Sequence, residues 1–337
     1  MFAIFWKILF FRMRVQYVYC HDQHLYSAKS VLDELEKRGH KIILKNLARK
    51  DLKNGIHLER SDCTITSYSI LVNEFKGDCG KKICIEHGIN PLRSVFPLNN
   101  HSYSKFDWIL VSGKWWVNRA EDVKEKCVVT GYPKSDELIS MRDHRSEILK
   151  EIEKKMKSPF IEGYPIISWV PSHSAAWVRT PDIVSLNIPN LIIAPHELTY
   201  RKFRGWGYDK NYPWYIETPN VNDLLSISDV VLTDFSSSGF EALAIPDLPV
   251  IQILAPNGST INVESRKRGS YLTAKKQEDM TIGRNIDDIS ELKKEIDIAV
   301  KNKESYFKDR RDFWKDQLLF NCGNAINNCV HFIENAV

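Results

Sequence analysis

The chain has 337 residues, of which 43% are hydrophobic and 27% charged, with 15 glycines and 14 prolines. That length sets an expectation of about two domains, and the balance excludes disorder, collagen or a coiled coil as the main architecture. The formal net charge of +4 is too small to imply a nucleic-acid partner, and no apolar run approaches the ~18 residues of a membrane-spanning helix.

One bias survives the averaging, and it stands first. The opening MFAIFWKILFFRMR holds eleven apolar residues, the cations Lys7, Arg12 and Arg14, and no acid. Its charges follow the apolar stretches, the reverse of a secretory leader. Residues 1–14 therefore read as an interfacial segment, with aromatics at headgroup depth and cations on an anionic membrane surface. The alternative is a first element packed on the protein's own core. Seven cysteines with no CxxC pair fit small core thiols in a reducing compartment, with no structural metal.

Residues 15–20 read as a β-branched and aromatic strand, and residues 25–38 as a helix stopped by Gly39. Further strands are expected at 41–44, 63–66, 82–85, 108–111 and 128–130. A charged helical stretch over 143–157 is broken by Ser158, Pro159 and Gly163, which places a domain boundary there. A second series follows, with strands at 166–170, 191–194, 230–233 and 250–254 and helices at 222–227 and 237–245. The last ~45 residues read as two helices with an apolar stripe of Tyr306, Phe307, Phe313, Trp314, Leu318 and Leu319. Strands alternating with helices imply parallel pairing. The expected fold is α/β, with two Rossmann-like domains (15–157 and 158–337), parallel sheets facing a central cleft, and C-terminal helices.

Chemistry-bearing residues collect at the strand ends. In SDVVLTDFSSSGFEALA, a buried strand runs into a serine-rich turn and then a helix, so backbone N–H groups and the hydroxyls of Ser236, Ser237 and Ser238 can hold a phosphate. Gly239 there would permit close approach. In LIIAPHELTYRKFR, His196 ends a strand and is followed by Arg201, Lys202 and Arg204, a set suited to a pyrophosphate. In KICIEHGINPLR, His87 leaves a strand in the first half and could serve as a general base. His173 in VPSHS ends another strand, while TGYPKSDEL reads as a turn capping a helix. The chain lacks HExxH, GxSxG, a P-loop and GxGxxG, which removes zinc hydrolysis, hydride transfer and ATP hydrolysis by their usual devices.

Five of these segments, in chain order over about residues 82–251, resemble the CDP-glycerol glycerophosphotransferase family of teichoic-acid primases and polymerases. SDVVLTDFSSSGFEALA is similar to that family's strand, Asp-Tyr-Ser-Ser turn and helix. EHGINPLR resembles its His-Gly motif, APHE its Pro-His-Pro motif, VPSHS its Ala-Pro-Thr strand end, and TGYPKSDEL its Gly-Tyr/Asn-Pro-Asp segment. The resemblance implies a GT-B fold, His87 as the base, His196 with Ser236 and Ser237 on the donor phosphates, and Glu241 near the donor ribose. It implies transfer of a polyol phosphate from a CDP-linked donor to the hydroxyl of a lipid-linked or polymeric acceptor. CMP is released, no cofactor is needed, and the enzyme sits at the inner face of the cell membrane. Glu197, Arg93 and Phe235 depart from the family pattern, and residues 261–289 do not resemble it. The residues alone also allow a GT-B glycosyltransferase using a nucleotide sugar, a sugar-nucleotide 2-epimerase, or a non-catalytic nucleotide- or polymer-binding module.

Overall fold

The structure is a computed structural model describing residues 12–47, 55–89, 101–120, 122–173, 175–234, 236–253, 282–303 and 310–337. The chain divides into two compact units. Met1–His87, Pro97–Lys134 and Phe320–Val337 form the first, and Gly88–Phe96 with Ser135–Leu319 the second.

The first unit contains β1 (Arg14–Tyr19), β2 (Lys41–Asn46), β3 (Ile56–His57), β4 (Cys63–Thr66), β5 (Phe75–Lys76), β6 (Lys81–Ile85), β7 (Trp108–Val111) and β8 (Cys127–Val129). Six of these form a parallel sheet in the order β2-β1-β4-β6-β7-β8, and β3 pairs with β5 apart from it. The second unit contains β9 (Ile167–Trp169), β10 (Leu191–Ile193), β11 (Val230–Thr233), β12 (Val250–Ile253) and β13 (Arg284–Ile286). They form a parallel sheet in the order β10-β9-β11-β12-β13. Both sheets thus share one topology: the chain lays its second main strand on one side of the first, then crosses to the other side. The crevice opened by that reversal is where ligands bind in open α/β sheets. It lies between the ends of β1 and β4 in the first unit, and of β9 and β11 in the second.

The β11 strand is buried at every position and apolar at its first three, as a parallel strand covered on both faces requires. Helix α1 (Asp22–Lys37) buries Ala28, Val31, Leu32 and Leu35 at helical spacing. Gly39 ends it with φ +94°. The amide N–H of Gly39 bonds Glu36 O at 2.9 Å and that of His40 bonds Leu35 O at 3.1 Å, the paired closure that favours glycine. All seven cysteines are free thiols. Burial pushes the Cys63 thiol up to about 12, so it behaves as a core hydrophobe.

The expected boundary at 157/158 lies instead at Lys134/Ser135. Helices α2 (Pro133–Asp143) and α3 (Arg145–Glu153) are charged like a linker, yet their cations close a helix of the second unit. That helix is α4 (Asn222–Ile227). Arg142 Nη1 donates to Ser226 O and Ser228 O at 2.8 and 2.9 Å, and Arg145 Nη2 to Ile227 O at 2.7 Å and Asp229 Oδ1 at 2.9 Å. Cations at these last carbonyls meet both unsatisfied acceptors and the negative end of the helix dipole.

The end of the chain also differs from the expectation that 158–337 form one domain. Helix α5 (Ala325–Ala336) packs Cys329, Val330 and Ile333 into the core of the first unit with Val31 and Leu35. Arg38 Nη1 and His40 Nε2 meet Glu334 at 3.0 and 3.1 Å. Ahead of it, residues 310–318 are helical as expected; among the described residues of the stripe, Trp314, Leu318 and Leu319 are buried and Phe313 is exposed. Tyr306 and Phe307 lie outside the described residues. So does most of the interfacial segment, 1–14, but its last residues join the fold. Met13 is fully buried in the core of the first unit, and Arg14 opens β1 and pairs with Glu59 at 3.4 Å. β3, β5 and β13 are two or three residues long, too short to register as a periodic pattern. Among the described residues, no helix is long and apolar enough to cross a membrane.

Candidate active site

In the first unit, His87 follows β6 and is half-buried. Its Nδ1 lies 2.6 Å from the Ser67 carbonyl, at the end of β4. A carbonyl can only accept, so Nδ1 carries the proton and Nε2 the lone pair. That is the tautomer a general base needs. The carbonyl of His87 accepts from Tyr132 Oη at 3.1 Å, so the buried tyrosine of TGYPKSDEL fixes the backbone that carries the imidazole. Gly131 just before it has φ +98°, and a Cβ there would stand 2.4 Å from Phe320 O. Only glycine lets Tyr132 turn inward at that point.

In the second unit, the reversal between β9 and β11 is pinned by Asp234. Its buried carboxylate accepts from Ser172 N at 3.0 Å and Ser172 Oγ at 2.5 Å, while Thr233 Oγ1 donates to Val170 O at 2.9 Å. The loop after β9 and the turn after β11 are therefore held as one piece. Ser236 Oγ accepts from Ser238 N at 3.3 Å and caps α6 (Ser237–Glu241). Ser236 is buried, Ser237 and Ser238 are half-buried, and Glu241 is 4% exposed.

Two readings of this turn change. The helix is five residues long before it tightens into a 3₁₀ turn over Ala242–Ala244, so its dipole is small, and what the turn offers an anion is its local N–H and hydroxyl donors. Gly239 is also required by internal packing. A Cβ there would come within 2.9 Å of Thr233 Cγ2 and 3.0 Å of Ile282 Cδ1. Gly239→Ala is expected to cost about 1–3 kcal/mol through overpacking, read as a lower urea midpoint. An unchanged midpoint would show that the turn has room.

His196 follows β10 and the fixed Pro195. Its Nδ1 accepts from Leu198 N at 3.2 Å, so in the neutral ring the proton is on Nε2. This is the opposite tautomer to His87 and makes His196 a donor. Its ring packs on His173 with centroids 5.0 Å apart, which brings the ends of β9 and β10 together. The cations that follow divide. Arg201 is exposed, and Lys202 Nζ lies 4.6 Å over the Trp177 ring. Arg204 forms a two-pronged pair with Glu217, one arm at 2.8 Å. Burial alone would raise the Glu217 carboxyl, but Arg204 and Tyr215 outweigh it and hold it below the usual carboxylate range. Arg204 is thus engaged by a protein carboxylate.

The second unit also includes the residue after His87: a Cβ on Gly88 would lie 3.6 Å from Ser237 Oγ. Residues 90–93 of EHGINPLR, together with Ser174 and Phe235, lie outside the described residues. Sequence reasoning assigned no role to Asp234, Ser172, Tyr132, or the pair His21 and His24. The last two carried a usable signal, since they stand at the first strand-to-helix turn just as His87, His173 and His196 stand at later strand ends. Among the described residues, no group of three or more His, Cys, Asp or Glu side chains could hold a metal ion.

Residues 186–335 match the family model described as CDP-glycerol:poly(glycerophosphate) glycerophosphotransferase. No curated protein sequence matches the chain. Among solved structures, the wall teichoic acid polymerase TagF is similar at a TM-score of 0.66 and 16% identity, over 96% of this chain and 88% of that one. Its H444N variant soaked with CDPG is similar at 0.67 and 16%, over 96% and 89%. A putative UDP-N-acetylglucosamine 2-epimerase from Listeria monocytogenes is similar at 0.56 and 14%, over 97% of both chains. At these identities the likeness establishes the fold: α/β, two parallel sheets, GT-B-like.

Proposed function

We infer that this chain, whose residues 186–335 match the CDP-glycerol:poly(glycerophosphate) glycerophosphotransferases, is an enzyme of that family, moving glycerol phosphate from CDP-glycerol to a poly(glycerophosphate)-type acceptor in teichoic-acid synthesis. The observation that carries this reading is the coincidence of the family match with the pinned Asp234 and the serines Ser236–Ser238 that follow it, at the strand-order reversal of the second sheet, where open α/β sheets bind ligands.

In the mechanism proposed, His87 Nε2 takes the proton of the acceptor hydroxyl. The freed oxygen attacks the β-phosphorus, a new P–O bond forms, and the bridging P–O bond breaks. CMP leaves with the electron pair. The amides and hydroxyls of Ser236, Ser237 and Ser238, with the Nε2–H of His196, receive the charge that develops on the pyrophosphate oxygens. Phosphoryl transfer depends chiefly on such positioning and charge stabilisation. His173 supports the His196 ring, and Glu241 is assigned to the donor ribose. Arg201 is the cation assigned to the donor phosphates, ahead of Arg204. A lipid-linked acceptor at the inner membrane face is the natural partner for the apolar, cationic start of the chain.

The test is nucleotide selectivity. At a hundredfold excess over its Kd, a ligand of the folded state stabilises by about 2.7 kcal/mol. CMP or CDP-glycerol should therefore raise the melting temperature by several degrees while UDP and GDP do not. The reverse order would assign the chain to the nucleotide-sugar transferases instead, and no shift with any nucleotide would make it a module without a donor site.

A further inference from the structure

The reversal of the first sheet, between the ends of β1 and β4, carries a set of groups that the mechanism above does not use. Tyr17, in the middle of β1, is fully buried. Its hydroxyl donates to the carbonyl of His24, in the first turn of α1, and lies 2.9 Å from Ser67 Oγ. Tyrosine has one hydroxyl proton and the carbonyl can only accept, so the serine hydroxyl supplies the proton of the second bond. Burial keeps the phenol protonated by pushing its pKa far up. Ser67 in turn presents its own carbonyl to His87 Nδ1. The chain of bonds thus runs from the β1–α1 turn, through Tyr17 and Ser67, to the base.

A ring stack parallels it. The His24 imidazole is 6% exposed. One face lies flat on Tyr68, with centroids 4.7 Å apart and planes 20° apart. The His87 ring leans on it at 5.0 Å and 64°. His24 Nδ1 is 3.7 Å from Cys20 Sγ, at the end of β1. Every member belongs to the first unit.

We propose that Tyr17 and His24 are positioning residues for His87: the Tyr17 hydroxyl, through Ser67 Oγ, holds in place the residue whose carbonyl selects the Nδ1–H tautomer, and the His24 ring is the wall that fixes the plane of the imidazole. This rests on His87 being the base. A base must hold its lone pair on the reacting proton, and a rotation of the ring removes it from reach, so small errors of placement carry large losses in rate. These roles account for a phenol buried in β1, an interior strand of the sheet, and for two imidazoles standing edge to face at the reversal beside it.

The experiment combines kinetics with ¹⁵N-imidazole NMR, which reads the tautomer directly and needs no acceptor. In the native protein His87 should show the Nδ1–H tautomer. Tyr17→Phe removes one oxygen, His24→Phe keeps a ring as wall, and His24→Ala removes the wall. Tyr17→Phe and His24→Ala should each lower kcat about tenfold or more with KM for CDP-glycerol within twofold, and His87 should become a tautomer mixture. His24→Phe should retain most of kcat. If Tyr17→Phe does not fold, Ser67→Ala breaks the same link and should give the same mixture. A native kcat and an unchanged Nδ1–H signal in Tyr17→Phe or Ser67→Ala, and in His24→Ala, would overturn the proposal. His87→Ala in the same assay separates the two ideas: full activity there removes the base itself, whereas loss there with native behaviour in the other variants removes only the positioning set.

Discussion

His87→Ala is expected to lower CMP release from CDP-glycerol about 10²–10⁴-fold, the usual range for loss of a general base. The protein should stay folded, because the side chain is half-buried and bonds a backbone carbonyl rather than a core side chain. His87→Gln sharpens the result. A glutamine amide can donate to Ser67 O, yet it has no basic lone pair to present to the acceptor. It should be as inactive as alanine while keeping the local bond. KM for CDP-glycerol should change little in either variant, since the donor contacts assigned here all stand in the second unit. Near-native turnover in both variants would remove His87 from the mechanism.

The second large effect is expected at Asp234, which touches no substrate in the mechanism proposed. Its carboxylate accepts from both the N–H and the hydroxyl of Ser172, so Asp234→Ala leaves those donors without their acceptor, at a cost of about 1–3 kcal/mol. The same change unpins the turn before Ser236, assigned to the donor in the mechanism proposed, from the loop that carries His173. The thermal shift produced by CMP should shrink towards zero, and KM for CDP-glycerol should rise about tenfold or more, in line with the 1–3 kcal/mol released. Asp234→Asn keeps one acceptor oxygen and should fall between the two. The measurement is a nucleotide titration followed by melting temperature. A native CMP shift in Asp234→Ala would mean that the turn holds its shape without the anchor.

The chain is most legible at its strand ends. A parallel sheet buries both faces of its central strands, so segments such as VVLT and WILV show as apolar runs, and the polar residues that end them stand at the ligand-binding edge. Short elements were less legible. A strand of two or three residues such as β3 or β13 owes its existence to the neighbour it pairs with, and composition leaves no trace of that. The boundary between units was misplaced for a related reason. Arg142 and Arg145 look like solvated charges until the carbonyls they cap come into view.

By itself, the amino-acid sequence determined the fold class, the alternation of strands and helices, and the set of histidines and serines standing at strand ends, because these follow from local hydrophobic pattern and turn chemistry. The tertiary structure decided four further things: that the last helix returns to the first unit, that Arg204 is held by Glu217, that Gly239 serves packing, and that His87 and His196 carry their protons on opposite nitrogens. Each of these depends on which atom of a distant residue stands within about 3 Å. A tautomer is set by its partner's lone pair or proton, and that partner is named only when the chain has folded.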